Sequence, residues 1–510
     1  MPAESRTKKT LLNARVNLIF YFLTLLLSFF SRKIFLDCLG AEFIGLTGTL
    51  QNLLGFLNLA ELGIGSAIGY VLYKPLFDHD QEKINEIISV MGYLYRWIGL
   101  IILGAGCILA CFLPLIFPST GFPLALIYFA YFSFLASSLI GYFINYRQNL
   151  LGADQRNYVV TGYYQTMTIV KTIIQMALAY YTRSYFLWVA IELTFGIIYS
   201  FVLNWRINVT YPWLKTEVSR GKELLKVHNQ VLVKTKQLFI HKIGTFVQYQ
   251  TVPFLTYAIC NLEIVAYYGN YTIITDKLSQ LSNTFMESLG ASVGNLVAEG
   301  EKNKILNVFW ELQNMRYFIG GVFSFAIYVL IDPFISIWLG EKYLLPNTIL
   351  YLIVIKVFIA YTRGGPVQFL NAYGMFDDIW APVAEIIINF GVAIICGLKW
   401  GLFGILLGSI SSQITIAFIW KPIYLFWKGF RIEIWKYWIG FLKLLCCVGG
   451  AFWGVKEFFV HRININCYAG YYNWFLYSFI IMVIYCGILF LTMFLMNSGM
   501  RRFVRKIIGR

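Results

Sequence analysis

Charged side chains are scarce in this chain, and two long stretches lack them altogether. Asp, Glu, Lys and Arg make up 13% of its 510 residues, against about 25% in an average soluble domain. Residues 97–146 and 463–500 contain no charged side chain at all. This shortage excludes a water-soluble globular protein, and the 59% of hydrophobic residues indicates a polytopic membrane protein instead.

Histidine and cysteine are also few. The 4 His and 9 Cys show no metal-ligand spacing, and the adjacent Cys446 and Cys447 lie within an apolar run, where free cysteines are typical packing residues. A nucleotide-binding loop and a nucleophile–base arrangement are missing too. We therefore expect no metal site and no enzyme. No small-residue cleavage site follows the first apolar run, so no cleavable signal peptide is predicted.

Long apolar runs fill the chain and predict an all-α polytopic membrane protein, because about 20 apolar residues cross the bilayer core as a helix. The uncharged stretch 97–146 is broken by Pro114, Pro118 and Pro123, so it is interpreted as two helices. We predict about fourteen transmembrane helices at residues 14–34, 44–73, 87–113, 122–146, 158–181, 184–204, 237–260, 266–297, 305–331, 347–362, 379–398, 402–420, 435–456 and 470–496.

Lys and Arg are unevenly divided between alternate loops, which predicts the orientation. The loops of one side carry only Arg32, Lys33, Arg183, Lys342, Lys399, Lys456 and Arg462. The other side, which holds both termini and the segment after span six, carries several times as many cations. We therefore expect both termini in the cytoplasm. This topology accounts for the net charge of +16, and no nucleic-acid partner is needed.

Short motifs of the first half recur in the same order in the second half, which is typical of secondary transporters whose substrate site lies between repeated halves. The matched segments are 41–48 with 262–269, 60–69 with 286–294, 83–84 with 304–305, and 149–153 with 368–372. We predict two pseudo-symmetric six-helix lobes plus two extra C-terminal helices. The predicted division is 1–204 (N-lobe), 205–236 (basic cytoplasmic linker), 237–420 (C-lobe) and 421–510 (appended helices and basic tail).

Several segments resemble one family of membrane transporters. They are residues 39–46, Glu61–Gly65, Leu72–Leu76, Asn371–Phe376 and Trp400–Ile405. The chain resembles the bacterial polysaccharide transporters, which are the O-antigen and capsule repeat-unit flippases of the multidrug/oligosaccharidyl-lipid/polysaccharide exporter superfamily. The likeness covers nearly the whole chain, including the fourteen predicted spans. It implies two MATE-like lobes around a central cavity that opens to each side of the membrane in turn.

The resemblance also implies a cargo and a location. The cargo is an oligosaccharide repeat unit linked to undecaprenyl pyrophosphate, which moves to the periplasmic leaflet of the bacterial inner membrane. There it would serve O-antigen, capsule or exopolysaccharide synthesis. The implied partners are this lipid-linked oligosaccharide, membrane lipids, and a polysaccharide polymerase with its chain-length regulator. No cofactor is implied, and H⁺ and Na⁺ are the candidate coupling ions.

Polar residues within the predicted spans mark the candidate cargo site, because an intramembrane charge usually faces protein or a watery cavity. A pyrophosphate needs cations or oriented donors to leave water. In span five, polar residues at steps of four and three place Lys171 and Gln175 on one helical face. The predicted cations are Lys171, Lys277, Arg96, Arg316, Lys356 and Arg363, and the predicted polar lining is Asn17, Gln51, Asn58, Gln175, Gln248 and Asn283.

These residues also have structural interpretations. Arg96 lies near a helix end, where a long side chain can extend to the interface. Lys171 with Glu192, and Asp276 with Lys277, can be neutralised pairs that only stabilise the fold. The sequence leaves both interpretations open.

Three acidic residues are candidates for ion coupling, namely Glu61, Asp276 and Glu287. Glu61 and Glu287 occupy matching positions in the two repeats, which favours a shared structural role in closing each lobe. Either carboxylate can instead bind H⁺ or Na⁺ during exchange. The sequence does not separate these two roles.

Other transporters and a membrane enzyme compete with the flippase interpretation. A cation-coupled multidrug antiporter of the same superfamily would favour acidic and aromatic cavity residues over cations, and a lipid II flippase would differ only in cargo. A membrane glycosyltransferase or polymerase needs a sizeable outer loop with acidic residues or His. The longest predicted outer loop, 457–469, contains only Glu457 and His461. We therefore favour a transporter over an enzyme.

Overall fold

The chain folds almost entirely into helices. The computed structural model describes residues 6–508, apart from 62–63, 119, 233–234, 236–250, 289–292, 294–295, 298, 376 and 461. Within these residues there are helices and connecting turns but no strand. The all-α fold class predicted from the sequence is confirmed.

Ten helices of the described chain are long and apolar enough to cross a membrane, which supports a multi-pass membrane protein. Four predicted spans are not among them, namely 44–73, 158–181, 237–260 and 266–297. Span 44–73 is interrupted, and span 237–260 lies largely outside the described residues. Span 158–181 and the described part of span 266–297 form helices that are less apolar than the ten. The count of fourteen spans stays a prediction.

The chain divides into two compact units, unit 1 (Met1–Ala258) and unit 2 (Ile259–Arg510). The predicted division into lobes, linker and appended helices stays a prediction. The helices of unit 1 with described bounds are α1 (Arg6–Leu39), α2 (Ala41–Leu57), α3 (Ile64–Phe77), α4 (Gln81–Ile116), α5 (Leu124–Phe143), α6 (Gln148–Ala153), α7 (Asn157–Thr182), α8 (Tyr185–Thr210) and α9 (Gly221–Val227).

The predicted span 44–73 is interrupted in the structure. Helix α2 ends at Leu57, and the short 3₁₀ turn Asn58–Glu61 follows before α3 begins at Ile64. Asn is a weak helix former, and a change to 3₁₀ geometry inside a long helix often marks a hinge or a functional position. The interruption therefore places Asn58 and Glu61 at a change in backbone geometry.

The described part of the predicted linker packs along α4 of unit 1. The backbone N–H of Lys215 donates to Asn85 Oδ1 (3.0 Å), and that of Glu217 donates to Ser89 Oγ (2.9 Å). His228 Nε2 lies 2.8 Å from Glu86 Oε2. Because Asn85, Glu86 and Ser89 share one end of α4, this segment is held by hydrogen bonds to that end.

Unit 2 contains a series of described helices and an aromatic core. They are α10 (Leu262–Ser288), α11 (Lys302–Trp338), α12 (Asn347–Thr362), α13 (Gly364–Ala372), α14 (Trp380–Trp400), α15 (Leu402–Gln413), α16 (Lys421–Tyr424), α17 (Trp435–Val455), α18 (Tyr471–Met496) and α19 (Ser498–Ile508). At the core, the fully buried Phe309 meets Phe369, Phe426 and Phe430 edge to face, at centroid distances of 5.4, 5.5 and 5.4 Å. Such ring pairs add specific attraction to apolar burial.

Helix α15 continues as π-helix and α16 to Phe430, beyond the predicted span 402–420. Its extension binds the loop that precedes α14. Lys421 Nζ donates to the buried Asp378 (2.6 Å), and Lys428 Nζ donates to the exposed Asp377 (2.6 Å). The hydrogen bond from Lys428 lowers the pKa of Asp377 below its usual value.

The C-terminal helix α19 is fastened to α11 by a buried carboxylate. Glu311 on α11 is 5% exposed, and it pairs with Lys506 (2.5 Å) and Arg502 (3.5 Å) of α19. Met500 of α19 is buried beside them, in an apolar cluster with residues of α11, α17 and α18. Two cations of the predicted basic tail therefore stabilise the fold of unit 2.

Candidate functional site

Unit 1 contains a carboxylate whose hydrogen-bond partners are tyrosine hydroxyls. The Tyr95 hydroxyl donates to Glu61 Oε1 (2.6 Å), and the Tyr142 hydroxyl donates to Glu61 Oε2 (2.8 Å). In the described part of unit 1, Glu61 has no Lys, Arg or His within ion-pair distance. The half-buried acid predicted for ion coupling therefore lies in a neutral, hydroxyl-rich environment.

Asn58 belongs to the same cluster. Its Oδ1 accepts hydrogen bonds from the Tyr142 hydroxyl (3.1 Å) and from Ser138 Oγ (3.3 Å). Asn58 begins the 3₁₀ turn between α2 and α3, and Glu61 ends it. Helix α5 therefore contacts both ends of the turn through Tyr142. The role of Asn58 as part of a polar cavity lining stays a prediction, and within unit 1 its amide oxygen is bonded to α5.

Lys171, the lysine predicted to hold pyrophosphate, is paired with an acid. Its Nζ donates to Glu192 Oε1 on α8 (2.6 Å). Gln175, one turn further along α7, donates to Glu192 Oε2 (3.1 Å) and to the carbonyl of Trp188 (3.0 Å). The structure thus brings Lys171 and Gln175 together, as their spacing predicts, and it favours the neutralised pair for this lysine.

Three other predicted residues of unit 1 are exposed within that unit. They are Asn17 on α1, Gln51 on α2 and Arg96 on α4. None of them joins the Glu61 cluster or the Lys171–Glu192 pair in the described residues. They stay candidates for cargo contact.

Arg316 occupies a close-packed notch in unit 2. Its guanidinium donates to Gln368 Oε1 (2.9 Å), with a longer contact to the Tyr361 carbonyl (3.5 Å). A side chain at Gly364 would overlap the guanidinium, and one at Gly365 would overlap Gln313. These two glycines after the end of α12 therefore make room for polar side chains of α11.

The other predicted cations of unit 2 lie beside acidic or aromatic groups. Arg363 NH1 is 3.9 Å from Glu385 Oε1. Lys356 Nζ donates to the Tyr268 hydroxyl (3.1 Å) and lies 5.8 Å from the centre of that ring.

Asp276 on α10 lies within electrostatic range of both Lys277 and Lys356. The neutralised pair of Asp276 with Lys277 stays a prediction, and Lys356 is a further cation near Asp276. This group combines one acid with two cations.

Three predicted residues lie wholly or partly outside the described part of the chain. Gln248 lies outside the described residues, as do the side chains of Asn283 and Glu287, although the backbone of both belongs to α10. Their predicted roles stay predictions.

Sequence reasoning missed the tyrosines that surround Glu61, although the repeats contain a signal for them. The sequence separation between Lys83 and Tyr95 equals that between Lys304 and Arg316. The separation between Tyr142 and Asn149 likewise equals that between Tyr361 and Gln368. In unit 2 the matched Arg316 contacts both Gln368 and the carbonyl of Tyr361. Extending the repeat match to these helices would have indicated both clusters.

Comparison with solved structures identifies the fold, whereas no known family profile and no curated protein matches the sequence. The structure titled "Lipid II flippase MurJ, inward closed conformation" has a TM-score of 0.64 at 16% identity, over 96% of this chain and 99% of that one. An inward-facing multidrug resistance MATE family transporter of the MOP superfamily gives 0.55 at 14% identity, over 81% and 98%. A MATE structure in the bent conformation gives 0.52 at 13% identity, over 82% and 95%.

These likenesses define the class of the fold. The chain has the fold of transporters of the MOP superfamily, which is the superfamily indicated by its sequence motifs. Both kinds of neighbour are named as transporters or flippases, and neither is named as an enzyme. The fold alone does not distinguish polysaccharide transporters from other proteins that share it.

Proposed function

We propose that this protein is a flippase that moves undecaprenyl-pyrophosphate-linked oligosaccharide repeat units across the bacterial cytoplasmic membrane by alternating access. The observation that carries the proposal is the set of cations placed among apolar helices, above all Arg316. Such cations would repel the cationic drug of an antiporter, whereas a diphosphate can accept charge-assisted hydrogen bonds from them. The sequence resemblance to polysaccharide transporters supports the same cargo.

A lipid II flippase is the second candidate, because the structure of that name aligns over 96% of this chain. The MATE transporters align over 81% and 82%. This difference favours a lipid-linked cargo over a drug. Lipid II shares the polyprenyl diphosphate with the proposed cargo and differs in its sugars, so the two candidates are separated by cargo alone.

Reconstitution into vesicles tests the cargo directly. We expect fluorescently labelled polyprenyl-diphosphate oligosaccharide to become accessible on the opposite leaflet at a rate that depends on the protein. Labelled lipid II and a cationic dye serve as competing cargoes. Faster movement of lipid II would support the second candidate, and movement of the dye alone would contradict both flippase proposals.

Within that function, we propose that Arg316, Lys277 and Lys356 of unit 2 contact the diphosphate. Arg316→Gln should reduce surface-polysaccharide assembly in a transporter-deleted host at least tenfold, since one charge-assisted hydrogen bond is worth about 1.5–3 kcal/mol. Arg316→Lys keeps the charge and should retain part of the activity. Equal assembly by wild type and Arg316→Gln, at matched membrane levels, would place the cargo site elsewhere.

The proposed orientation puts both termini in the cytoplasm and Cys38 and Cys467 on the periplasmic side. In a variant that keeps only these cysteines, an impermeant maleimide should label intact spheroplasts. Burial raises the pKa of the Cys467 thiol, so less of the reactive thiolate is present at neutral pH and labelling should speed up as the pH rises. Labelling that occurs only after lysis would reverse the orientation.

A further inference from the structure

The C-terminal helix α19 carries four cations on two of its faces. Arg501 and Arg505, called the outer pair here, lie one helical turn apart, and Arg502 and Lys506, the inner pair, lie one turn apart as well. Adjacent residues of an α-helix point about 100° apart, because one turn holds 3.6 residues. The outer and inner pairs therefore occupy different faces of α19, and they differ in their contacts.

The inner pair and the apolar face hold α19 against unit 2. Arg502 and Lys506 pair with the buried Glu311 of α11, at 3.5 and 2.5 Å. On the apolar face, Phe503 and Val504 pack against the buried cluster formed by α11, α17 and α18. The position and the rotation of α19 are thus fixed by contacts that do not involve the outer pair.

The outer pair has no such contact in the described chain. Arg501 and Arg505 are exposed, and neither forms an ion pair within the part of unit 2 that the structure describes. Like charges one turn apart on a helix repel each other and destabilise it. An anion held between the two guanidinium groups removes that repulsion, so this face of α19 is suited to an anion from outside the chain.

Helix α19 lies near one end of the membrane-spanning part of unit 2. It begins at Ser498, directly after the candidate span α18, which ends at Met496. It is bound to α11 at Glu311, which precedes the uncharged stretch 317–331 of that helix. Because charged side chains are costly in the hydrocarbon core, the uncharged stretch occupies the core and Glu311 lies towards its edge.

An exposed tryptophan indicates the same level. Trp435 is the first residue of α17 and is 72% exposed. Its neighbours Ile434 and Trp438 share an apolar cluster with Phe503 of α19. Tryptophan is enriched where spans meet the lipid headgroups. The start of α17 and the helix α19 therefore lie together at the headgroup level.

We propose that the outer pair, Arg501 and Arg505, is a docking surface for the headgroups of anionic phospholipids. The planar fork of arginine donates two parallel hydrogen bonds to phosphate oxygens, and cations that follow a span attract anionic lipids. Bound lipid would fasten α19, and with it the ends of α11 and α17, to the membrane surface. This surface is independent of the cargo, so its absence would leave the proposed transport function standing.

Thermal unfolding of the purified full-length protein in detergent tests the surface. Dioleoyl phosphatidylglycerol is the anionic probe, and dioleoyl phosphatidylcholine is the zwitterionic one. The anionic lipid should raise the unfolding midpoint of wild type above its value in the zwitterionic lipid. Arg501→Gln/Arg505→Gln should lose most of this difference, with an unchanged midpoint in the zwitterionic lipid. A full effect of the anionic lipid on this variant would overturn the proposal.

Two further variants remove the same amount of charge elsewhere in unit 2. Arg502→Gln/Lys506→Gln leaves Glu311 buried without its cations and should lower the midpoint in both lipids. A wild-type midpoint would show that the inner pair does not hold α19, and the distinction between the pairs would fail. Lys342→Gln/Lys399→Gln removes two exposed cations outside α19 and should keep the lipid difference. Its loss there would indicate a general charge effect and overturn the proposal.

Native mass spectrometry then measures how tightly the anionic lipid binds. Affinity for phosphatidylglycerol should fall about fivefold for each arginine of the outer pair that is removed, and about twenty-five-fold for both. Arg501→Lys/Arg505→Lys keeps the charge but loses the planar fork, so its affinity should lie between wild type and the glutamine variant. Equal affinity of wild type for phosphatidylglycerol and phosphatidylcholine would overturn the proposal.

Discussion

The two units hold a corresponding helix hairpin together by different means. In each unit the hairpin follows one of the matched segments, 149–153 or 368–372. In unit 2, added side chains at Gly404 and Gly408 of α15 would overlap the backbone of α14, so the two helices are in backbone contact. In unit 1, α7 and α8 are joined by the ion pair of Lys171 and Glu192. Membrane helices can associate through small residues or through polar side-chain contacts. In this hairpin unit 2 has the first kind of contact, and unit 1 has the second.

The largest effect is expected where backbones touch. Gly404→Leu should destabilise unit 2 by about 3 kcal/mol or more, because the rigid backbone of Cys396 has no room for a side chain. Gly391→Ala is the control in the same hairpin, since a Cβ there meets nothing within 4 Å. Thermal unfolding in detergent measures both. A wild-type midpoint for Gly404→Leu would mean that the hairpin does not depend on close packing.

A smaller effect is expected from the ion pair of unit 1. Lys171→Met leaves the partly buried Glu192 without its cation and should cost about 2 kcal/mol, below the range for fully buried pairs because both side chains are partly exposed. The double variant Lys171→Met/Glu192→Gln should recover most of that loss. Lys171→Glu places two carboxylates together. We therefore expect a transport defect of this variant to reflect lost stability rather than lost cargo binding. Additive losses in the double variant would argue against direct pairing.

The smallest effects concern the neighbouring acids of the loop before α14. Asp378 is buried and accepts hydrogen bonds from Lys421 (2.6 Å) and Trp420 (2.9 Å), so Asp378→Asn should destabilise unit 2 by about 1.5 kcal/mol. Asp377 is exposed, and Asp377→Asn should not change the unfolding midpoint measurably, as expected for a surface pair. Equal losses in the two variants would show that burial does not distinguish them.

A second pair of corresponding positions differs in charge. Tyr95 in unit 1 and Arg316 in unit 2 match in the repeat, and each lies next to an amide side chain, Asn149 or Gln368. The tyrosine bonds to a carboxylate, whereas the arginine presents a cation among neutral groups in the described residues. Matched sequence positions therefore hold a carboxylate bonded to hydroxyl groups in unit 1 and a guanidinium bonded to neutral acceptors in unit 2.

The fold class was predictable because apolar composition acts over the whole length of the chain. Twenty apolar residues in a row can be satisfied in lipid only as a helix, and most predicted spans coincide with observed helices. The interruption at Asn58–Glu61 was not predicted, because the 44–73 segment is apolar on both sides of it. Hydropathy averages over a window and does not detect a single turn.

The site was predictable only as a set of residue types. The spacing of Lys171 and Gln175 correctly placed them on one face of α7, yet their bond to Glu192 depends on how α8 packs beside α7. In the same way, Glu61 was recognised as an unusual acid, but Tyr95 and Tyr142 reach it from helices that are distant in sequence.

The sequence by itself determined that this protein is a largely helical, multi-pass membrane protein, because helix formation in lipid depends on local composition and periodicity. The tertiary structure decided which charges are neutralised and which acid is left among hydroxyl groups. Those outcomes depend on atoms within about 3 Å of each other, and such distances are set by the packing of helices that the sequence places far apart.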